Sequence, residues 1–568
     1  MNPHWSMHRR SSFRQRISVI VAALSVLFFV SAHASEEGEE GENAMAYIER
    51  AEEALARHDY KVASWEYRNA AEISSSPDVA QLATRVSYSF GFDGDALASA
   101  KRWVLLDKKS DEALLYVALL QLRTDDIWDS RRSFKQLLKQ SDESPEDRLV
   151  ALIPFLSQED PDKADRLMRQ LARPYKKSPE AHYAVSVMAL QSGDHKEARA
   201  RAKKAIELDS EWIKPHLVYA RSLLLDGDEE AAIDYTARLI GDSPDPDPEA
   251  RLELALMLLS AGRDDDALSQ VNQILLEQPS RLDALRLMAI INFRLERFDA
   301  ARADFEDLLE TGRYTMDAIY YLGRIADIRE EFDEAVDLYS RVVQGPNAVM
   351  SQRRVSGILS EQGDDQEALE HLREFGKQYP NYAVEMIQAE AQLLATLERY
   401  DEALESYDRV VSYRPDSENA LLGRAELLLR MGRLDDSIKQ YREAVTRWPD
   451  SSISLNALGY TLADRTQRFN EAERLIRKAM KIDPDSAAII DSWGWVLYRK
   501  GRNEQALAEL ERAYERLRDP EVAAHIVEVL WKMERVEEAQ QFLADAEVLY
   551  PENELLQAVR DKAFPQAN

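Results

Sequence analysis

Histidines and carboxylates are the side chains of this sequence best suited to proton transfer or metal binding. The chain has nine histidines and 103 Asp and Glu residues but no cysteine, and a catalytic acid–base pair or a metal site requires clusters of such residues. Three histidines lie within the first 33 residues, and the other six are scattered along the chain. We interpret two of the latter, His182 and His216, as packing residues rather than as metal ligands.

Known catalytic motifs are also missing from the sequence. The chain has no phosphate-binding glycine-rich loop, no GxSxG nucleophile turn and no HExxH zinc motif. Without cysteine, disulfides, thiolate zinc sites and lipid attachment through a thiol are excluded. Acidic clusters such as 264–266 precede predicted helices, where carboxylates complement the helix dipole. The sequence therefore predicts that the protein is not an enzyme and has neither a cofactor nor a metal site.

The net charge restricts the class of partner. With 103 acidic against 73 basic residues, the formal charge is -30, whereas nucleic-acid binding requires a basic surface that neutralises phosphates. Anionic membrane surfaces are disfavoured for the same reason. The charge predicts protein partners, basic ones in particular, and no binding to nucleic acid.

The first 34 residues have the layout of an export signal. Four arginines between positions 9 and 16 precede an apolar run from Ile17 to Val30, and the small residues Ala32 and Ala34 follow. This run is shorter than the roughly 20 residues that span a bilayer, so we expect cleavage after Ala34 rather than an inner-membrane anchor. Residues 1–34 are therefore predicted to be a signal peptide for the periplasm, leaving no direct membrane anchor. Residues 35–43 are predicted to be a flexible acidic leader.

An internal repeat supplies the elements that position any functional side chain. One small residue recurs every 33 to 35 residues, with a mean of 34, among amphipathic runs of helical type. A small side chain at a fixed place lets two antiparallel helices approach closely. The recurring positions, which we interpret as repeat-packing residues, are Ala63, Ala96, Ser130, Ala164, Ala198, Ala232, Ala267, Ala301, Ala335, Ala368, Ala403, Ser437, Ala472, Ala506 and Ala539.

Other positions keep the same phase and complete the fold prediction. Gly323, Gly459 and Gly494 lie about twelve residues before the small residue, and prolines that end helices recur twelve residues after it. The sequence predicts an all-α solenoid, a right-handed superhelix of about fifteen helix-turn-helix repeats. The Pro-dense segment 243–248 is either a hinge or a stretched loop. As a hinge it would divide an N-terminal array, residues 44–248, from a C-terminal array, residues 249–551. Residues 552–568 are expected to form a capping helix and a tail.

The period and these in-phase residues resemble the tetratricopeptide repeat (TPR) family over the whole chain after residue 43. The resemblance implies a solenoid whose concave wall is lined by the first helix of each unit and binds other proteins. Applied to this sequence, the family's wall positions give ten partner-binding candidates. These are Leu252, Leu256, Ile290, Phe293, Asn456, Tyr460, Asp491, Trp495, Tyr498 and Trp531.

Aromatic residues in this wall are typical anchors of a protein interface. We expect Trp495 and Tyr498 to face the groove and form its hot spot, whereas Trp493, beside Gly494, belongs to the core. An apolar wall with aromatic anchors suits an amphipathic helix or an extended polypeptide. The alternative is that the array fills part of this wall with its own side chains.

In length, repeat number and the stretch from Asp491 to Tyr498, the chain is similar to envelope TPR lipoproteins that partner a periplasmic carboxyl-terminal processing protease. This resemblance implies an adaptor that brings the protease together with cell-wall hydrolases. The chain departs from those lipoproteins because no cysteine follows its apolar run, which favours a soluble periplasmic form. The alternative function is an assembly scaffold for an exopolysaccharide or outer-membrane export machine.

Overall fold

The computed structural model describes residues 39–57, 59–140, 143–243 and 245–564. Within these ranges the chain forms α-helices, short turns and one 3-10 turn, and no strand, which confirms the all-α prediction. The predicted signal peptide, residues 1–34, lies outside the described residues. No helix in the described part of the chain is both long and apolar enough to cross a bilayer.

The described helices form two compact units, one that ends at Tyr314 and one that begins at Thr315. Described helices of the first unit are α1 Glu39–Ala56, α2 Tyr60–Ile73, α3 Pro77–Ser89, α4 Asp93–Leu106, α5 Asp111–Arg123, α6 Ile127–Gln140, α7 Pro145–Ala151, α8 Ile153–Leu156, α9 Pro161–Ala172, α10 Pro179–Gln191, α11 His195–Leu208, α12 Ile213–Leu225, α13 Glu229–Gly241, α14 Pro248–Ser260, α15 Asp264–Glu277, α16 Leu282–Arg294 and α17 Phe298–Glu310. Proline at position 154 interrupts the first helix of the fourth repeat, dividing it into α7 and α8.

Described helices of the second unit are α18 Thr315–Ile328, α19 Phe332–Ser340, α20 Ala348–Glu361, α21 Asp365–Gln378, α22 Ala383–Thr396, α23 Tyr400–Tyr413, α24 Glu418–Arg430, α25 Leu434–Arg447, α26 Ser452–Arg465, α27 Phe469–Ile482, α28 Ala487–Arg499, α29 Asn503–Arg516, α30 Pro520–Lys532, α31 Val536–Leu549 and α32 Glu554–Ala563. The last of these covers the C-terminal repeat, where Leu556 and Val559 join its core.

Two of the predicted boundaries differ from the structure. Residues 39–43 belong to α1 rather than to a flexible leader, because glutamate is a good helix former and is favoured at a helix N-terminus. The segment 243–248 lies within the first unit, where Ile240 of α13 and Ala250 of α14 share one core cluster. That packing agrees with the stretched-loop alternative for this segment. The unit boundary follows Tyr314 instead.

The repeat register corresponds to the closest approach of paired helices. Each of the fifteen small residues lies in the second helix of its pair and is at most 1% exposed. Opposite them, a Cβ on Gly494 would lie 2.7 Å from Leu510 Cγ and 3.2 Å from the Ala506 carbonyl oxygen. Such distances leave no room for a side chain, so glycine permits this helix spacing.

A left-handed residue links the two helices of most repeats. In twelve of the described repeats the residue five positions before the small residue has a positive φ, between 57° and 91°. This conformation ends the first helix sharply. The residues that adopt it are Gly91, Asp125, Gly193, Gly227, Gly262, Glu296, Glu330, Gly363, Glu398, Gly432, Gly501 and Glu534.

Candidate functional site

The candidates of the first unit lie on two first helices. Leu252 and Leu256 on α14 and Ile290 and Phe293 on α16 are all half-buried. The two leucines pack against the core cluster of their own repeats, and the Phe293 ring lies 5.7 Å from that of Phe298. These side chains therefore combine partial exposure with packing inside the unit.

The candidates of the second unit come together around a histidine. Asp491 and Trp495 on α28 both contact His525 on α30: Asp491 Oδ1 lies 2.8 Å from His525 Nδ1, and the Trp495 and His525 rings stack at 4.0 Å. Tyr460 on α26 lies beside them, with its hydroxyl 3.4 Å from His525 Nε2. We call this surface, formed by the first helices of three successive repeats, the α26–α28–α30 wall.

Carboxylates surround the aromatic groups of this wall. The Tyr460 hydroxyl donates a hydrogen bond to Glu521 at 2.7 Å, and the Tyr498 hydroxyl donates one to Glu528 at 3.0 Å. The Trp495 indole N–H donates to Asp464 at 3.3 Å. Each aromatic ring thus carries its polar end toward an acid, which orients the ring and makes the wall acidic.

The candidates of the wall differ in how far solvent reaches them. Asp491 and Trp495 are each only 6% exposed, whereas Asn456, Tyr460, Tyr498 and Trp531 are half-buried. At Asp491 and Trp495 the structure agrees with the alternative in which the array fills its own wall. A partner would therefore reach Tyr498 and Trp531 before it reaches Trp495. Trp493 is 9% exposed and belongs to the core cluster of the unit.

Electrostatics favour a charged His525. Burial at 7% exposure opposes the imidazolium form, but Asp491, with Glu521 and Glu528, outweighs burial and raises the pKa of His525. Burial, together with the neighbouring acids, also raises the pKa values of Tyr460 and Tyr498. The tyrosines therefore stay neutral hydrogen-bond donors, and the surrounding acids stabilise the imidazolium form of His525.

The site has the features of a protein-binding surface. In the part of the chain that the structure describes, no group of three or more His, Asp or Glu side chains is placed to hold a metal ion. Its half-exposed aromatic residues with fixed polar ends resemble the anchors of protein interfaces.

Sequence reasoning missed His525 and the acids Asp464, Glu521 and Glu528. The signal was available, because His525 lies 34 residues after Asp491, which is one repeat period. Arg221 and Glu253, 32 residues apart on α12 and α14, likewise face each other across successive first helices. Arg123 at the end of α5 pairs with Glu159, 36 residues later, in the turn that follows α8. Opposite charges at that separation predict contacts between repeats.

Comparisons with known proteins agree with the architecture. A family profile described as tetratricopeptide repeat matches residues 155–211, 217–282, 286–349, 389–452 and 422–487, about half of the chain. A second profile with the same description matches residues 357–382. A TPR repeat-containing protein of Pseudomonas aeruginosa is 33% identical over 214 residues, 38% of this chain and 36% of the relative. The matched stretch thus spans about a third of that relative's length.

Solved structures of TPR proteins are similar at low identity. A thermophilic TPR protein of Thermus thermophilus is 23% identical, with a TM-score of 0.30, over 32% of this chain and 98% of its own. A tetratricopeptide repeat protein from Parabacteroides merdae is 14% identical, with a TM-score of 0.34, over 43% of this chain and 96% of its own.

Proposed function

The chain belongs to the tetratricopeptide repeat family, and we propose that it is a periplasmic adaptor that brings a processing protease together with cell-wall hydrolases. Its repeats make it a protein-protein interaction scaffold. The observation that carries the proposal is the α26–α28–α30 wall, where half-exposed aromatic residues stand among carboxylates. A basic segment with apolar side chains is complementary to both features.

Charge gives this adaptor a preference among partners. The chain carries a formal charge of -30, and Asp464, Glu521 and Glu528 place part of it beside Tyr460, Trp495 and Tyr498. Secreted wall-modifying enzymes are often basic, so long-range attraction would steer them toward this surface. High salt should slow such an encounter.

The test is affinity capture from a periplasmic extract with the chain from Ser35, followed by mass spectrometry of the retained proteins. We expect a processing protease together with wall hydrolases. Recovery of polysaccharide- or membrane-export components without a protease would support the assembly scaffold instead, which is the second candidate function.

A pair of variants locates the binding surface. Replacing Tyr498 and Trp531 by Ala should weaken capture by about tenfold, because interface aromatics supply most of the binding energy. The matched control replaces Tyr413 and Trp128, which are 63% and 77% exposed and lie on α23 and α6. Equal losses in both variants would contradict a specific role for the wall.

A turnover assay on the purified chain alone tests the prediction that it is not an enzyme. We expect no hydrolysis of protein or peptidoglycan substrates above that of a mock preparation. Hydrolysis that is lost on replacement of one polar residue would overturn the scaffold proposal.

A further inference from the structure

One segment of this acidic protein is strongly basic. Positions 166–204 contain ten Lys and Arg residues against three Asp and Glu, a net charge of +7, whereas the whole chain carries -30. The remaining positions therefore sum to -37. A local reversal of this size indicates a surface whose electrostatic preference differs from that of the rest of the chain.

Five of these ten cations line a cleft of about 700 Å³. The cleft lies between the second helices α9 and α11, with α10 and the turn 173–178 beside them, and its volume is in the range of binding clefts. Its cationic lining consists of Arg169, Arg173, Lys176, Arg201 and Lys204, and Glu197 is the one acid of the lining.

Three of these cations already bind carboxylates of the chain. Arg169 contacts Asp165, Asp194 and Glu197 at 2.8 to 3.1 Å. Arg201 contacts Glu197 at 2.8 Å, and Lys204 contacts Glu207 at 2.8 Å. Glu197 thus joins Arg169 on α9 to Arg201 on α11, and all of these pairs are examples of carboxylates bound by cations of the cleft.

Two cations at the rim are different. Arg173 and Lys176 are exposed, and neither has a carboxylate partner among the described residues. The negative end of the α9 dipole explains why a cation is favoured at Arg173. It does not explain the cations Arg201 and Lys204 on the opposite side of the cleft, because these lie on α11. The side chains of Arg173 and Lys176 are therefore available to bind the carboxylates of an acidic ligand.

The lining also has an apolar part, which narrows the chemistry of that ligand. Ala172, Ala181, Val185 and Ala200 line the cleft beside the cations. His182 is 8% exposed, with Nε2 3.0 Å from the Lys176 carbonyl oxygen and Nδ1 3.4 Å from Arg201 Nη1. Because the carbonyl oxygen can only accept, Nε2 of His182 donates this hydrogen bond, which holds the turn 173–178 against α10. Phosphate polymers bring no apolar groups to such a lining, whereas a peptide does.

We propose that this cleft binds a polypeptide segment in which acidic side chains alternate with apolar ones, with Arg173 and Lys176 as the cations that contact its carboxylates. The site lies on second helices of the first unit, so it is separate from the α26–α28–α30 wall. The adaptor then has two surfaces of opposite charge preference, one for basic and one for acidic partners.

The test measures fluorescence anisotropy of a labelled peptide of alternating Glu and Leu with the full chain from Ser35. The double variant Arg173→Glu, Lys176→Glu should bind it at least about tenfold more weakly. The control variant Lys177→Glu, Lys203→Glu has the same change of charge at exposed residues outside the cleft. It should change the affinity by less than about twofold.

Each other outcome overturns the inference. Equal losses in both variants would mean nonspecific attraction, and equal binding of a Gln and Leu peptide would remove the role of charge. Binding of short-chain polyphosphate but not of the acidic peptide would assign the cleft to a phosphate polymer. The variant Arg173→Glu, Lys176→Glu should still capture the proteins that bind the α26–α28–α30 wall. This capture separates failure of the cleft proposal from failure of the proposed adaptor function.

Discussion

The cleft between α9 and α11 and the α26–α28–α30 wall use the same repeat in opposite ways. In the cleft, cations of second helices surround His182, and Arg173 and Lys176 stay exposed. In the wall, carboxylates of first helices surround His525 and hold the polar ends of aromatic rings. One scaffold therefore makes two surfaces of different sign, because the repeat fixes positions and leaves the choice of side chain open.

Removing Trp495 should have the largest effect and would test whether the wall is part of the core. This ring is 6% exposed and stacks on His525, so Trp495→Ala should lower the free energy of unfolding by ~3–5 kcal/mol. Urea unfolding followed by circular dichroism measures it, with hydrogen exchange of α28 reporting the local loss. Trp128→Ala is the control, because that side chain is 77% exposed and its loss should cost less than about 0.5 kcal/mol.

Gly494→Ala should have the next largest effect, because the added methyl group would push α28 away from α29 beneath the wall. The new Cβ would meet Leu510 and the Ala506 carbonyl, so we expect a net loss of about 1–2 kcal/mol in spite of the better helix propensity of alanine. The control is Gly357→Ala on α20, where the nearest atom is 3.5 Å away and a gain of about 0.4–1 kcal/mol is expected. Destabilisation by both substitutions would contradict the close-approach explanation.

The contributions of His182 and His525 to the stability of the fold should depend on pH in opposite ways. Burial lowers the pKa of His182 and Arg201 lowers it further, against the hydrogen bond to the Lys176 carbonyl, whereas acids raise the pKa of His525. The contribution of His525 is therefore complete below the unfolded value of about 6.5 and is lost as the pH rises through its folded pKa. His182 resists protonation in the folded state, so the unfolded state is favoured, and the fold loses stability, as the pH falls through about 6.5.

Melting temperatures of His525→Gln and His182→Gln, measured against the unchanged chain between about pH 5 and 9, test these signs. The difference for His525→Gln should shrink toward alkaline pH, and the difference for His182→Gln should shrink toward acidic pH. The same trend in both variants would mean that the neighbouring charges do not control the two imidazoles.

The smallest effect is expected at the rim of the cleft. Arg173 and Lys176 make no ion pair with the described residues, so replacing both by Gln should leave stability unchanged or raise it by a few tenths of a kcal/mol at low salt. High salt should abolish the gain, because it screens the repulsion from Arg169, Arg201 and Lys204. A clear loss of stability would mean that these cations have a structural role.

The period predicted the fold better than it predicted the surfaces. Spacing alone placed Gly494 opposite a second helix, because close approach depends only on position within the repeat. The exposure of Trp495 depends instead on the side chain at position 525, one repeat later, which periodicity does not specify. The cleft was missed because the charge was considered over the whole chain, although the excess of cations between positions 166 and 204 is visible in the sequence.

The left-handed residue between paired helices has a consequence for how this sequence can evolve. At four of these turns, Glu296, Glu330, Glu398 and Glu534, a glutamate adopts a conformation that glycine adopts in most of the others. Each such glutamate carries a backbone penalty of roughly 1 kcal/mol that a single codon change to glycine would remove. Replacement of these glutamates by glycine, in four separate repeats, can therefore compensate for substitutions that destabilise either binding surface.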